Sequence, residues 1–531
     1  MKKPYFWIAI FVLALNLFAF QNCGKIATSQ IESASTVSAN KIDDSSQMMA
    51  KQIIVRMKDD ASNSQLTQWA NNNGLANMNS ANNSLMANWQ SMRMSHWNWE
   101  GPSTVAEVQT KLAAAGFADK IEFAEPNYML NTTDPAVESF SGVTQLTAAQ
   151  PYSSQLQDLS VTLTPIQPTS PRPIIAIIDS GANVNHESFA DVDAIWKNTN
   201  EIPNNGLDDD ANGFVDDYNG YNFKDKNNNL ADQTGHGTHV AGIALGVGHD
   251  IFDLTQDSIM FPQQRSKVQL MILKFIGPTG GATSDAINAV FYAVNKGAKV
   301  LNNSWGGTNY SRALEDAILY AYDREVLFVA AAGNSSSDND TKAIYPANYN
   351  LPNVISVAAS DNSDRLTSFS NFGLTTVDIA APGSFILSTG DLGNSSFRTL
   401  SGTSMASPMV AGVAGLALYE NRFLKAHQIK QIIVQQADSA STLSGRIKNP
   451  VRLNPNFAIA EAKIATPAAT KPAFSRRSLA SSADAAEEAP KAGCGLVKID
   501  TPNPPKGPPP LAIVALFMLP LVVAFRYKFS V

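Results

Sequence analysis

Ile174-Ile175-Ala176-Ile177-Ile178-Asp179-Ser180-Gly181 is the stretch on which the fold turns. Five consecutive apolar residues, most of them β-branched, read as a short strand buried on both faces, as in a parallel sheet. The run then stops on an acid, a hydroxyl and a glycine. Working outward, Val268–Ile276 is another such run, and Val300–Trp305, Val326–Ala332 and Val354–Ala359 continue the strands. Between these runs the period changes. Ile287, Val290, Phe291 and Val294 make one helical stripe, with Ser284 or Asp285 as its N-cap and Gly297 as its stop. Arg312–Glu325 and Thr403–Glu420 read as further helices. Strand–helix alternation over residues 150–464 predicts an α/β domain with a parallel sheet. Sites in such sheets open past the carboxyl ends of the strands, so the residues following each strand carry the functional question.

Composition narrows the answer. The chain has 531 residues, 44% hydrophobic and 16% charged, values that exclude wholesale disorder and a polytopic membrane protein. Lys+Arg is 39 against Asp+Glu 46, a net charge of −7, which argues against nucleic acid as a partner. The two cysteines, Cys23 and Cys494, exclude a disulfide scaffold and leave the middle of the chain without a thiol. Nucleophilic chemistry there must use oxygen or nitrogen.

The ends suggest export. Lys2 and Lys3 precede an apolar run from Ile8 to Phe20, too short for a membrane span and suited to a signal peptide over 1–23. Cys23 just beyond it resembles a lipidated cysteine of a bacterial lipoprotein signal, although Asn22 stands where that pattern has a small residue. Residues 24–50 read as a linker and 465–510 as a disordered stalk, both poor in large apolar groups. Leu511–Phe525, followed by Arg526 and Lys528, reads as a C-terminal transmembrane or sorting segment with its basic end cytoplasmic. Residues 51–132 read as a small α+β unit: a strand at Gln52–Met57, a helix carrying Val105, Val108 and Leu112, and a second strand from Ile121 to Leu130.

Four motifs carry chemistry. Asp179-Ser180-Gly181 follows the first strand of the α/β domain, and Gly235-His236-Gly237-Thr238-His239 opens a helix. Ala332-Gly333-Asn334 follows another strand, and Ser401-Gly402-Thr403-Ser404-Met405-Ala406-Ser407-Pro408 leads into an apolar helix. Taken singly each is ordinary: a turn acid, a structural histidine, a turn asparagine, a capping serine. A metal site at His236 and His239 lacks a third ligand at suitable spacing. Together, in the order Asp, His, Ser, the four closely resemble the motifs of subtilisin-like serine proteases.

That resemblance, covering about 150–464, implies a subtilisin-like parallel sheet flanked by helices and a serine endopeptidase that needs no organic cofactor. It makes Ser404 the nucleophile, His236 rather than His239 the base, and Asp179 the group that orients the imidazole. Asn334 and the Ser404 N–H would stabilise the oxyanion. Ser304, Trp305, Gly306 and Gly307 resemble the edge on which a protein or peptide substrate is bound as an added strand, with Trp305 altering the pocket wall. The unit at 51–132, ending Glu125-Pro126-Asn127-Tyr128, resembles the ferredoxin-like propeptide of this family, which makes the chain's own propeptide a partner. The expected cut lies between about Tyr128 and Ser154, with Tyr128, Leu130 and then Phe140 as candidates for the residue before it.

A separate signal lies between the first two motifs. Asp208, Asp210, Asn212, the Phe214 carbonyl and Asp216 have the 1-3-5-7-9 spacing of a calcium loop, with Gly213 at the turn and Asn219 where a bidentate Glu would stand. The sequence thus reads as an exported, membrane-associated zymogen acting at the cell envelope or surface. Two other readings remain beside it: a catalytically idle adhesion module on the same fold, and a processing protease dedicated to one partner.

Overall fold

The computed structural model describes residues 48–80, 82–100, 103–132, 171–247 and 266–474. The expected signal segment with Cys23, nearly all of the linker, the stalk beyond residue 474 and the apolar segment 511–525 lie outside these residues. Among the described residues no helix is long and apolar enough to cross a membrane.

The first lobe grows from alternation. Ile53, Val55 and Met57 on one face of β1 (Met48–Met57) pack on Leu66 and Ala70 of α1 (Asp60–Asn72). Asp59 caps α1 by accepting from the Ser62 N–H at 2.7 Å. There follow β2 (Leu75–Asn77), α2 (Asn83–Ser91), β3 (Met94–Trp99), α3 (Val105–Leu112) and β4 (Ile121–Thr132). A capping box between Thr104 and Glu107 opens α3, a motif whose cap residue is worth about 1 kcal/mol. The sheet runs β4-β1-β3-β2, antiparallel throughout, which is β-α-β-β-α-β order with α2 added. Sequence patterning marks only β1, α3 and β4 of this lobe.

The body is built on β5 (Ile174–Asp179), β6 (Gly220–Asn222), α4 (His236–Leu245), β7 (Gln269–Lys274), β8 (Gly281–Ala282) and α5 (Thr283–Asn295). It continues with β9 (Val300–Asn303), β10 (Trp305–Gly306), α6 (Arg312–Asp323), β11 (Leu327–Ala331), β12 (Val354–Ser360), β13 (Ile379–Pro382) and α7 (Thr403–Glu420). Strands β13-β12-β11-β9-β5-β7-β6 form one sheet, parallel from end to end. Two short strands, Val451–Arg452 and Asp438–Ser439, extend it beyond β13. Ile175 and Ile177 face a core shared with Val240 and Ala244 of α4 and Val410 and Ala414 of α7. Ala176 and Ile178, on the alternate face, are equally buried, as continuous apolar runs require.

From β5 the chain builds the sheet in both directions, toward β7 and β6 on one side and β9 onward on the other. A crevice therefore opens at the carboxyl ends of β5 and β9. The start of α5 differs from expectation. The helix begins at Thr283, neither Ser284 nor Asp285 caps it, and the Ser284 N–H donates to Asn127 Oδ1 of the lobe at 3.0 Å. The cap comes from a residue remote in sequence, which local patterning cannot reveal.

Candidate active site

Asp179 ends β5 and is fully buried. Its Oδ1 accepts from His236 Nδ1 at 2.7 Å and from the Ser180 N–H at 2.7 Å. Burial pushes the Asp179 carboxyl above the ordinary carboxylate range, and His236 beside it pulls the other way. The approach requires Gly237: a Cβ there would fall 2.1 Å from the Gly181 carbonyl oxygen. His239, three residues on, is not available as a base. It is buried, its Nε2 lies 3.0 Å from the carbonyls of both Ile386 and Arg398, and desolvation holds it down at about 3.

Ser404 lies in the first turn of α7, the helix that packs along α4. Its Oγ donates to the Ser304 carbonyl at 3.3 Å, and Ser304 Oγ donates to the Ser404 carbonyl at 2.9 Å. The second bond has a cause four residues along. Pro408 sits inside α7 and has no N–H for the Ser404 carbonyl, so that carbonyl is open to Ser304. Asn302 supports the pair from β9, donating to Ser304 Oγ at 3.1 Å and accepting from Ser407 Oγ at 2.9 Å.

Asn334 completes this corner. Its Oδ1 accepts from the Thr403 N–H at 2.9 Å and the Thr403 hydroxyl at 3.0 Å. That fixes the amide with its Nδ2 buried and without a hydrogen-bond partner among the described residues. A donor left over in a preorganised site is what developing oxyanion charge requires.

The predicted substrate edge is occupied by the chain itself. Strand β4 lies between β10 and β8, antiparallel to both. Trp305 pairs with Thr132, Gly306 with Asn131, Gly281 with Leu130 and Ala282 with Met129. Gly307 lets Leu130 approach, with Leu130 Cδ2 3.1 Å from where a Cβ would stand. Trp305 contributes backbone to this edge while its indole turns inward, donating to the Ile178 carbonyl at 2.9 Å and lying edge-on to Phe275. β8 is a second wall of the cleft that the sequence reading did not single out. The glycines Gly280-Gly281 after β7 were the available signal.

The acidic loop is only partly as its spacing predicts. Asp208 and Asp210 come together with Glu201, oxygens of the three lying within 4.8 Å of one another. Asp216 is turned back on its own loop, accepting from the Asn205 and Gly206 amides at 2.9 and 3.0 Å. Asn212 Oδ1 accepts from the Phe214 N–H at 2.7 Å, and the Phe214 ring packs against Tyr221 and Tyr292. Burial works against the charge of Asp210, yet Lys296 with the side chains of Asn198 and Asn212 holds it at about 2. Glu201 was missed because it precedes the linear pattern. Its Oε2 is buried and has no hydrogen-bond partner among the described residues, so the three carboxylates fit a hard cation.

A carboxylate–imidazole pair, a serine at a helix start and a spare amide N–H are the parts that acyl transfer with an oxygen nucleophile uses, the equipment of a serine hydrolase. Residues 171–468 match the model of the subtilase family, peptidase family S8, and the chain belongs to that family of serine endopeptidases. It is 37% identical over 268 residues to thermitase of Thermoactinomyces vulgaris, covering 50% of this chain and 81% of that protein. It is 33% identical over 338 residues to a thermophilic serine proteinase of Bacillus sp. strain AK1, covering 64% and 72%. Among solved structures, fervidolysin of Fervidobacterium pennivorans, a keratinolytic enzyme related to subtilisin, shares the fold with a TM-score of 0.57 at 20% identity, covering 78% of this chain and 61% of that one. The epidermin leader peptide processing serine protease of Staphylococcus aureus does so with a TM-score of 0.54 at 20% identity, covering 77% and 99%.

Proposed function

We propose that this chain is an exported zymogen whose Asp179–His236–Ser404 triad hydrolyses peptide bonds, first in itself and then in protein substrates. His236 takes the Ser404 proton as the hydroxyl attacks and returns it to the leaving amine. Asp179 holds the imidazole and favours the imidazolium, while Asn334 Nδ2 and the Ser404 N–H receive the oxyanion. The observation that carries this reading is the seating of β4 between β8 and β10, in the manner of a bound peptide. On this reading residues 51–132 are the propeptide, docked product-like in the cleft they guard.

The register sharpens the expected cut. Ser404 Oγ stands at the Ser304 carbonyl, and Thr132 is paired with the next residue, Trp305. The self-cleaved bond therefore follows Thr132 by a residue or two. Tyr128 and Leu130, the large apolar candidates, lie upstream on β4. N-terminal sequencing of the active form should find a start close to Asp134. A mature protein that keeps residues 51–132 attached and is fully active would overturn the zymogen reading.

Calcium at Glu201, Asp208 and Asp210 would tie down the loop between Asp179 and His236 and take no part in the chemistry. Export rests on the signal-like segment and on relatives such as the cell wall-associated protease of Bacillus subtilis, 36% identical over 222 residues. Cys23 and residues 511–525 would supply membrane attachment at the envelope or surface. Intact-mass spectrometry of membrane-extracted protein tests both, and an unmodified mass cut at both ends would reject them.

A further inference from the structure

The helix that carries His236 starts abnormally. Its N-cap is Gly235, with φ 73° and no side chain to offer, and a Cβ there would fall 2.3 Å from both Arg398 Nη1 and Asp391 Oδ1. An ordinary capping residue is thus shut out, yet the first amides of a helix need acceptors. They find them nearby. The Gly235 N–H donates to Asp232 Oδ1 at 3.0 Å, and the Thr238 N–H to Asp232 Oδ2 at 2.8 Å. The His236 N–H donates to Thr234 Oγ1 at 3.2 Å, and the Gly237 N–H to Ser180 Oγ at 2.9 Å. Ser180 Oγ in turn donates to Asp232 Oδ1 at 2.9 Å, and Thr238 Oγ1 to Oδ2 at 2.8 Å. The Thr234 N–H adds a further bond to Oδ1 at 3.1 Å.

One carboxylate therefore joins the first turn of α4 to the residue that follows Asp179. We propose that Asp232 is a positioning residue that sets His236 against Asp179 and adds negative charge to that pair. The assignment rests on the triad reading above. The hydrogen bonds of Asp232 named above go to the start of α4 and to Ser180 rather than to a triad side chain. Asp232 acts through the helix start, where a shift of a fraction of an ångström moves the imidazole relative to both partners. After burial has raised the Asp179 carboxyl, the charge of Asp232 adds a smaller push in the same direction.

Other charged groups face this point: Lys274 lies in the field of Asp232, with Asp225 and Lys224 around it. His239 lies one turn on in α4 and is held neutral by burial. Lys274, at the end of β7, donates to the Ala231 carbonyl at 2.5 Å. Arg398 pairs with Asp391 at 3.4 Å and donates to the Thr234 carbonyl at 3.2 Å. Asp232 is the carboxylate bonded directly to the start of α4.

The test compares Asp232→Asn and Ser180→Ala in the full chain, with Ser404→Ala as the blank. It reads kcat and KM on a peptide substrate across pH, with melting temperature alongside. Asn keeps the shape, removes the charge and turns one acceptor into a donor. We expect Asp232→Asn to lower kcat about tenfold to a hundredfold with KM within about twofold. The acid limb of its profile should move about half a unit to lower pH, because the imidazolium loses a nearby negative charge. Ser180→Ala should lower kcat in the same sense and leave the limb in place. Wild-type kcat with an unmoved limb in Asp232→Asn overturns the assignment, as does a loss confined to KM or to melting temperature. If Asp232→Asn does not melt cooperatively, Ser180→Ala and Thr238→Val decide. Reduced kcat at unchanged KM in both supports the assignment, and wild-type kcat in both rejects it. Hydrolysis that survives Ser404→Ala would instead sink the triad reading and take this assignment with it.

Discussion

The core of the body and the seam between body and lobe are stabilised in opposite ways. The core is apolar: Ile175, Leu270, Val300, Val329 and Ile355 from the sheet meet Val240 and Val410 from the helices. The seam is rich in polar contacts, with Trp89 edge-on to Phe291 and Leu130 against Gly307 as apolar ones. The Glu125 carboxylate accepts from the Ser311 hydroxyl and the Arg312 and Ala313 amides at the start of α6. Asn127 caps α5, Trp89 donates to Asn288 at 2.7 Å, Asn82 reaches the Gly213 carbonyl, and Arg56 pairs with the buried Asp316. An apolar core is permanent because its parts have no other solvent. A seam held largely by polar groups parts more readily, because those groups can be rehydrated. That difference is what the proposed release of the lobe requires.

The sharpest way to break that distinction is Ser404→Ala. Hydrolysis should fall roughly a millionfold, and the precursor should stay full length. Normal shortening of the pure Ala variant would mean that Ser404 does not cut the precursor and that the zymogen reading is wrong. Next in size is Asn334→Ala, expected to cost about 100- to 1,000-fold in kcat. KM should move little, since the buried Nδ2 has no partner before the oxyanion forms.

Excess chelator comes third. A cation bound only by the folded protein at a hundredfold excess over its Kd contributes about 2.7 kcal/mol, so melting temperature should drop while kcat at low temperature holds. The loop also carries the carbonyl that Asn82 reaches, so the lobe should loosen in parallel. An unmoved melting temperature would dismiss the cation.

The smallest effect is the pH dependence of the seam. Burial pushes Glu125 up to about 7 from its ordinary 4.5, against the pull of Ser311, Arg312 and Ala313. Burial holds His96, on the lobe face near Asn127, down at about 3 from 6.5. To the extent that docking is what buries them, it takes up a proton at Glu125 between about 4.5 and 7 and sheds one at His96 between about 3 and 6.5. The two cancel over their shared range, and docking should be nearly flat between pH 4.5 and 6.5, then weaken in stronger acid. Glu125→Gln removes one half of the balance. Its docking should weaken about tenfold per pH unit below 6.5, measured as lobe dissociation after cleavage. A variant as flat as the parent would show that His96 is not sealed by the seam.

The sequence made the body legible and left much of the lobe obscure, for physical reasons. A parallel strand buried on both faces is mostly apolar, so β5 and β11 announce themselves, and Asp179 and Asn334 follow directly from where those strands stop. α1 and α2 are rich in Asn, Ser and Gln, and each holds its place with a few apolar residues, Leu66 and Ala70 in one, Leu85 and Trp89 in the other. β3 reads Met-Ser-His-Trp-Asn-Trp, too mixed to show a face. Their caps, Asp59 and Asn82, were the usable signals. Glu201 escaped because a ligand brought in by a preceding turn has no fixed offset from Asp208. The cap on α5 escaped because Asn127 is not local to the helix at all.

Pro408 has a consequence beyond shaping a helix. In an ordinary helix the carbonyl of the fourth residue back is spent on the backbone, and the geometry of that residue is the helix's own affair. Here the missing amide hydrogen leaves a lone pair of Ser404 to be claimed by Ser304, whose neighbour Trp305 is paired with the strand in the cleft. On the proposed triad reading, the nucleophile is thereby gauged against the rail that holds the peptide rather than against the helix that delivers it. Whatever shifts that rail carries the serine along, and the distance between attacking oxygen and bound chain is kept by construction. An alanine at position 408 would hand the carbonyl back to the helix and leave the two parts to drift independently.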